Sequence, residues 1–429
     1  MSEKPLSIAI AGLGTVGMGV LKIMETNSTL INQKSGKSIF VQAVSARNKR
    51  KKREVSLCQF DWEDDPVSLA RREDIDLIIE VMGGADGPAK ALVETALKNG
   101  KHIVTANKAM LAEHGHELAL AAEKNNVALR FEAAVAGGIP IIKALMEGLT
   151  ANKITKITCV INGTCNYILT RMEEETASYE QIFSEAQSLG YVEADPSLDV
   201  GGIDAAQKLS ILSAIAFGSK LDFNSIEIEG IEKISLIDIE NAKSMGYRIK
   251  LLGVSLLTES GVCQVMQPCL VPQLSPIAQL QGGTNMVLLE GNFVGQTCFS
   301  GAGAGQGPTA SAIVADIIDI ARNNITPVFG IPANKLLNSK PIKKVVDSCY
   351  YLRFSLVDQP GVLGKVAAIL GEHNISVDRM EQTDHDGSEA PLLIVTHKSK
   401  RVDLNLALSK IEKLDVCLSD PIAIKIEEI

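Results

Sequence analysis

Ser7-Ile8-Ala9-Ile10-Ala11 runs directly into Gly12-Leu13-Gly14-Thr15-Val16-Gly17, and helical spacing follows at Val16, Val20, Leu21 and Met24. A short strand leading through GxGxxG into a helix leaves few folds open. The glycines let the backbone come close to a pyrophosphate, and the free N–H groups of the helix start then face the anion. The motif alone is a weak signal; its place between strand and helix gives it weight. The alternation then continues. Ile75 to Glu80, His102 to Thr105 and Val127 to Glu132 predict strands, and Ala89 to Leu97 and Ala109 to Lys124 predict helices. Repeated βα units imply a Rossmann-like, doubly wound parallel sheet, in which ligands sit beyond the carboxyl ends of the strands. Gly83-Gly84, Asn107-Lys108 and the stretch AVAGGIP after Glu132 all fall there.

The second strand, Phe40 to Ser45, ends in Ala46-Arg47 where an acid would read a ribose 2′-hydroxyl. An arginine suits a 2′-phosphate, which favours NADP over NAD. The plainer reading of Arg47 is an exposed residue, and that of Lys49 to Arg53 a solvated loop. A net charge of -9 over 429 residues argues against a nucleic-acid binder. Eight cysteines without a CxxC, six histidines without ligand spacing, and an N-terminus MSEKP without an apolar core predict a soluble cytoplasmic protein. His114 and His116 point to different faces of a helix, so no metal site is read there.

The pattern changes near Pro140. A helix (Ile141 to Leu149) and a strand (Ile154 to Ile161) precede INGTCNY, and a polar helix leads to 189-LGYVEADPSLDVGGIDAAQKLSIL-212. Glu193, Asp195, Asp199 and Asp204 crowd together, and Lys208 follows Asp204 by one turn on the face of Ile211 and Ile215. Such acidic clusters are most often solvated loops or metal sites. On a surface helix an Asp–Lys pair at i, i+4 is a minor stabiliser. On an apolar face it costs desolvation, and a lysine so placed has a tunable pKa suited to proton transfer. An acyl-enzyme chemistry would need an activated cysteine; Cys159 and Cys165 are the candidates, and neither has a histidine close in sequence.

GLGTVG, VTANKAMLAEHG, FEAAVAGGIPII, INGTCNYIL, ADPSLDVGGIDAAQKLSIL, GYRIKLLG and GAGAGQGPTASAIVADI together resemble the homoserine dehydrogenase family, in order, over most of residues 7–320. Cys165 stands where a threonine is common and Val192 where a small residue is common; neither removes a catalytic group. The resemblance implies NAD(P)H-dependent interconversion of L-aspartate 4-semialdehyde and L-homoserine, on the way to threonine, methionine and isoleucine. It implies that Lys208 donates the proton, that Asp204 holds Lys208 and substrate, and that Glu193 binds the substrate amino group. Lys108 becomes a second lysine near carbonyl and nicotinamide, and Asp199 supports the network. Gly190 and Gly305 would approach the cofactor, as would Leu13, Thr15 and Val16. A sodium-like cation is implied at Glu132 and the carbonyls of Val135, Gly137 and Ile139; the plainer reading of these residues is a turn held by ordinary hydrogen bonds.

After Pro327 to Pro341 the pattern restarts as strand, helix, strand, strand, helix, strand, a ferredoxin-like order. LVDQPGVLGKVAAILGEHNISVDRM resembles an ACT domain, which implies self-pairing and amino-acid binding, with threonine the natural effector. Asp358, Gly361 and Val362, with Asn374 and Ile375 from a facing copy, would be the ligand surface; the module could equally serve only to dimerise. The division expected is 1–138 for the nucleotide domain with 305–325 returning to it, and 139–304 for an α+β catalytic and dimerisation domain. Residues 326–348 form a linker and 349–429 the tail, in a homodimer or homotetramer.

Overall fold

The structure is a computed structural model and describes residues 4–189, 196–338, 341–342, 347–382 and 389–429. Six parallel strands build the first sheet, in the spatial order Asp61–Trp62, Ile39–Ser45, Leu6–Ala11, Leu77–Glu80, His102–Thr105, Leu129–Arg130. The chain leaves Leu6–Ala11 to one side and returns at Leu77–Glu80 on the other, so the topological switch opens just beyond Ala11. Ile8, Ile10, Leu77, Ile78, Ile79 and Val104 are buried, as both faces of a parallel sheet under helices must be. The strand expected over Val127 to Glu132 shrinks to Leu129–Arg130, because Glu132–Ala134 winds into a 3-10 turn. The helix expected over Ile141 to Leu149 is α only over Ile141–Lys143 and continues as a π-helix over Ala144–Gly148.

The late helix Gln306–Ala321 packs on Thr15–Thr26, sharing a core in which Ala310, Ile313 and Ile317 meet Ile8, Ile10 and Val20. Gly19 permits the close approach: a Cβ there would stand 2.8 Å from the backbone oxygen of Gln306.

Among the described residues the second sheet has ten strands. Its centre is the antiparallel hairpin Tyr247–Thr258 and Gly261–Pro272, flanked by Ile154–Val160, Thr284–Gly291 and Gly295–Ala302. The tail supplies Cys349–Val357, Val377–Gln382, Glu389–Thr396 and Ile422–Ile426, with helices Val362–Glu372 and Arg401–Ile411, in ferredoxin-like order. Its sheet is not separate. Ile422–Ile426 pairs in parallel with Gly261–Pro272 at Cys269↔Lys425 and Leu270↔Ile426. Ahead of the tail, Phe329 packs on Phe131, and the Glu123 carboxylate accepts the N–H groups of Val328 and Ala333 at 3.2 and 2.8 Å. Among the described residues no helix is long and apolar enough to cross a membrane.

Candidate active site

The glycine turn has the shape a pyrophosphate requires. Gly12 adopts φ +107°, and a Cβ there would lie 2.5 Å from the Val81 oxygen; a Cβ at Gly17 would lie 2.0 Å from the Gly12 oxygen. Gly14 is open on its outer side and leads the helix Thr15–Thr26 without a side-chain cap, so the first N–H groups remain for a ligand. Thr15 is exposed there, Val16 half-buried and Leu13 buried. A cavity of ≈ 480 Å³ opens against this turn, bounded also by Arg47, Lys51, Arg53 and Gly83. The basic run is therefore more than a solvated loop. The Arg53 guanidinium donates to the Leu13 oxygen at 3.4 Å and to the Asn48 oxygen at 2.8 Å, folding the loop back onto the glycines. Gly305, at φ +116°, precedes the helix Gln306–Ala321 and is exposed. Gly190 and Glu193 lie outside the described residues. The glycine cradle, the open helix start and the basic rim together fit a dinucleotide.

The strand ends beside this cleft are fixed by a buried carboxylate. Glu80 accepts the Met82 N–H at 2.7 Å and the Thr105 hydroxyl at 2.6 Å, and that hydroxyl accepts the Asn107 N–H at 3.0 Å. Asn107 caps the helix Lys108–Lys124 and donates to the Gly84 oxygen at 2.7 Å. These bonds present Lys108 at the helix start. Further along, His114 lies 3.0 Å from Asp86, with Glu113 nearby; Lys90 stands 3.3 Å from the other ring nitrogen and brings its own positive charge.

Asp204 sits in the first turn of the helix Ile203–Phe217, behind Gly202 at φ +82°. Its two carboxylate oxygens each take one lysine: Lys108 on Oδ1 at 2.9 Å and Lys208 on Oδ2 at 2.7 Å. Lys108 comes from the nucleotide-binding unit and Lys208 from the middle unit, so one carboxylate joins the two walls of the cleft. Lys208 also donates to the Ile161 oxygen at 3.0 Å. Burial would raise the pKa of Asp204, but the ammonium groups of Lys208 and Lys108 prevail and hold it at about 2. Below the charged pair, Ile211 and Ile215 are buried and seat the helix.

Asn162 was not singled out in the sequence, yet it organises the acids. Its Oδ1 accepts the Cys165 N–H at 2.7 Å and so caps the helix Gly163–Glu175. Its Nδ2 reaches Asp199 at 3.3 Å and Asp204 at 3.4 Å. The signal was present, since an asparagine at the junction of a strand and a helix is a capping pattern. Cys165 and Cys159 are fully buried, and burial pushes the Cys159 thiol up to about 12 and the Cys165 thiol higher than its ordinary range. Neither is a poised nucleophile.

Glu132 is buried, and its carboxylate accepts the N–H groups of Ile142 and Lys143 at 2.9 and 2.8 Å. Burial, then repulsion from Asp316, pushes it up to about 7. The Ile139 oxygen accepts the Ile141 N–H at 2.8 Å, and Gly137, at φ +53°, turns the chain after Val135. Lys143 brings positive charge to the neighbouring Asp316 at 3.3 Å, and a buried carboxylate beside a turn of backbone carbonyls is a donor set that fits a hard monovalent cation.

In the tail, Gly361 at φ +87° precedes the helix Val362–Glu372, and Asn374 adopts φ +58°. Asp358, Gly361 and Asn374 are exposed. The side chains of Val362 and Ile375 are buried in the tail's own core, which leaves only their backbone for a ligand.

A dinucleotide cradle, and beyond its cavity a carboxylate shared by two lysines, is the equipment of a nicotinamide-dependent oxidoreductase acting on a CH–OH group. Family models described as homoserine dehydrogenase, as its NAD-binding domain, and as the ACT domain match residues 140–318, 12–132 and 350–416. The homoserine dehydrogenase of Neisseria gonorrhoeae is 43% identical, over 98% of this chain and 98% of that protein. That of Pseudomonas aeruginosa is 41% identical, over 99% of this chain and 100% of that protein. The crystal structure of a homoserine dehydrogenase from Thiobacillus denitrificans superposes with a TM-score of 0.94 at 40% identity, covering 99% of each chain. A hyperthermophilic archaeal homoserine dehydrogenase mutant, solved in complex with NADPH, superposes with a TM-score of 0.65 at 26% identity, covering 76% of this chain and all of that one. The chain belongs to the homoserine dehydrogenase family.

Proposed function

We propose that the chain interconverts L-aspartate 4-semialdehyde and L-homoserine with NADP as the preferred cofactor, serving threonine, methionine and isoleucine synthesis. The observation that carries this reading is Asp204 held between Lys108 and Lys208 across the cleft. The nicotinamide, when bound, supplies the hydride or receives it. Reduction builds negative charge on the carbonyl oxygen, and Lys208 stabilises that charge and donates the proton to the oxygen. Lys108 adds a second positive charge from the cofactor side. Asp204 keeps both ammonium groups in place, Asp199 and Asn162 brace it, and Glu193 is assigned the substrate ammonium.

Nicotinamide absorbance followed with homoserine, in NADP and NAD in parallel, tests the activity; absence of turnover with both would end this reading. Lys208→Ala should lower turnover by ~10²–10⁴-fold. Arg47 at the rim of the cavity supports the NADP preference, together with Lys51 and Arg53. Arg47→Asp should move selectivity towards NAD, and unchanged selectivity removes the role.

Three finer readings go with this. A monovalent cation, Na⁺ by the hardness of its oxygens, sits at Glu132 with the carbonyls of Val135, Gly137 and Ile139. Replacing sodium by a bulky organic cation at equal ionic strength should lower turnover, and an unchanged rate counts against the site. Threonine acts as feedback inhibitor at Asp358, Gly361 and Val362, with Asn374 and Ile375 of a facing copy; Asp358→Ala that keeps full threonine sensitivity would exclude this. The enzyme works in the cytoplasm as a homodimer or homotetramer, in keeping with eight free cysteines and an exposed edge strand at Val377–Gln382.

A further inference from the structure

The middle unit contains a buried lysine that the catalytic cluster does not use. Lys250 lies within Tyr247–Thr258, between the apolar Ile249 and Leu251, and is only 3% exposed. Its ammonium donates to Asn166 Oδ1 at 2.8 Å and to the Leu280 oxygen at 2.6 Å, both neutral acceptors. A charge buried on two neutral oxygens is costly where an apolar side chain would fill the same space. The position therefore needs a donor rather than mere bulk.

Both contacts lead to the cleft. Asn166 lies in the first turn of the helix Gly163–Glu175, and its Nδ2 donates to the Gly282 oxygen at 2.7 Å. Lys250 and Asn166 thus grip the loop 280–283 from two sides. That loop presses on the substrate side, where a Cβ on Gly163 would stand 3.0 Å from the Gly283 oxygen. Gly163 directly follows Asn162, the residue that reaches Asp199 and Asp204. Two residues past the loop, Asn285 lies so close to Gly303 that a Cβ there would overlap its side chain, at 1.9 Å from Nδ2. Gly303 belongs to the turn that ends in Gly305 at the cofactor side. Burial, then Arg248, lowers Lys250 to about 8, while Glu173 and Glu174 pull the other way. A neutral amine retains two N–H donors, so the tether persists on either side of that value.

We propose that Lys250 is a positioning residue of the reaction: by tying the loop 280–283, and through it Asn285, to the substrate helix, it sets the distance between the Asn162–Asp204 end of the site and the glycine turn Gly303–Gly305. This rests on the homoserine reading above, so turnover by the wild-type enzyme is measured first; its absence removes that reading rather than the tether.

Lys250→Met keeps most of the length of the side chain and removes both hydrogen bonds. With a displacement of about 1 Å, homoserine kcat should fall by roughly 10–10²-fold and homoserine KM should rise. NADP affinity, measured by direct titration, should change far less than kcat, because the glycine cradle and Arg47 are untouched and only the turn at Gly305 shifts. Asn166→Ala breaks the same tether from the other side, so the double variant should be no worse than the weaker single one. Full homoserine turnover in Lys250→Met, additive losses in the double variant, or a parallel loss of NADP affinity would each overturn the proposal. Should Lys250→Met fail to fold, Asn166→Ala decides alone. A kcat loss far exceeding any loss of NADP affinity supports the tether, and wild-type kinetics refute it.

Discussion

Asp204→Asn is the sharpest perturbation of the site, because it keeps the size of the side chain and removes the charge two lysines share. The carboxyl is drawn from 3.8 to about 2 against the opposing effect of burial. At about 1.36 kcal/mol per pH unit that net change is on the order of 2 kcal/mol, and because burial opposes it the attraction of the two ammonium groups for the carboxylate is larger than the net. An amide returns only one acceptor and turns its NH2 towards the other lysine. Expressed wholly in the transition state, a loss on the order of 2 kcal/mol is about 30-fold in rate, so turnover should fall by one to two orders of magnitude. The acid limb of stability gives an independent check. A depressed carboxyl stabilises the fold fully above its unfolded value near 3.8, and that contribution is lost as pH falls through about 2. The denaturation free energies of wild type and Asp204→Asn should therefore differ near neutrality and converge across that window. Equal turnover, or a stability difference that does not change between about pH 5 and pH 2, would refute the reasoning.

Two further expectations concern packing. Gly19→Val places a side chain against the Gln306 backbone oxygen, 2.8 Å from where its Cβ would stand. Separating the two helices should cost about 1–3 kcal/mol, lower the Tm and weaken NADP binding; an unchanged Tm would show that the crossing tolerates bulk. Arg353→Met leaves the fully buried Asp238 without its guanidinium, which donates from Nε at 2.6 Å and Nη2 at 3.1 Å. That should cost about 3–5 kcal/mol in chemical denaturation, with recovery when Asp238→Asn is added, and a loss unrelieved by the second change would point to packing instead.

The nucleotide fold was legible because its signals are local. A strand, a glycine turn and a helix sit within twenty residues, and each later βα unit repeats a period that adjacent residues display. Asp204 and Lys208 were legible for the same reason, being one helical turn apart. Lys108 is different: its meeting with Asp204 joins helices of two units, and spacing along the chain says nothing of it. The junction of tail and middle unit was equally hidden, since the register Cys269↔Lys425 spans more than 150 residues and two edge strands carry no mark of their partner. Lys250 does leave a trace in the sequence, a lysine between the apolar residues Ile249 and Leu251. The same lesson applies to Arg53, whose charge suggested solvent while its guanidinium bonds the glycine turn.

The continuous second sheet bears on how the tail could act on a site it does not touch. Ile422–Ile426 pairs with Gly261–Pro272, which pairs with Tyr247–Thr258, which pairs with Ile154–Val160. The last of these strands runs on into Ile161, whose oxygen receives Lys208, and Asn162, which reaches the acids. At about 4.8 Å per step the tail edge lies three strands, about 14 Å, from that strand. Glu427 also bonds Lys156 across the ladder at 2.9 Å. A tail displaced by an effector must either break ladder bonds or carry Ile154–Val160 with it. The first sheet contributes no strand to this ladder, so the cradle at Gly12–Gly17 lies off the route. An amino acid bound at the tail should accordingly change kcat or homoserine KM and leave NADP affinity as it was. An inhibitor of this enzyme that required Asp358 yet competed with NADP would contradict the route.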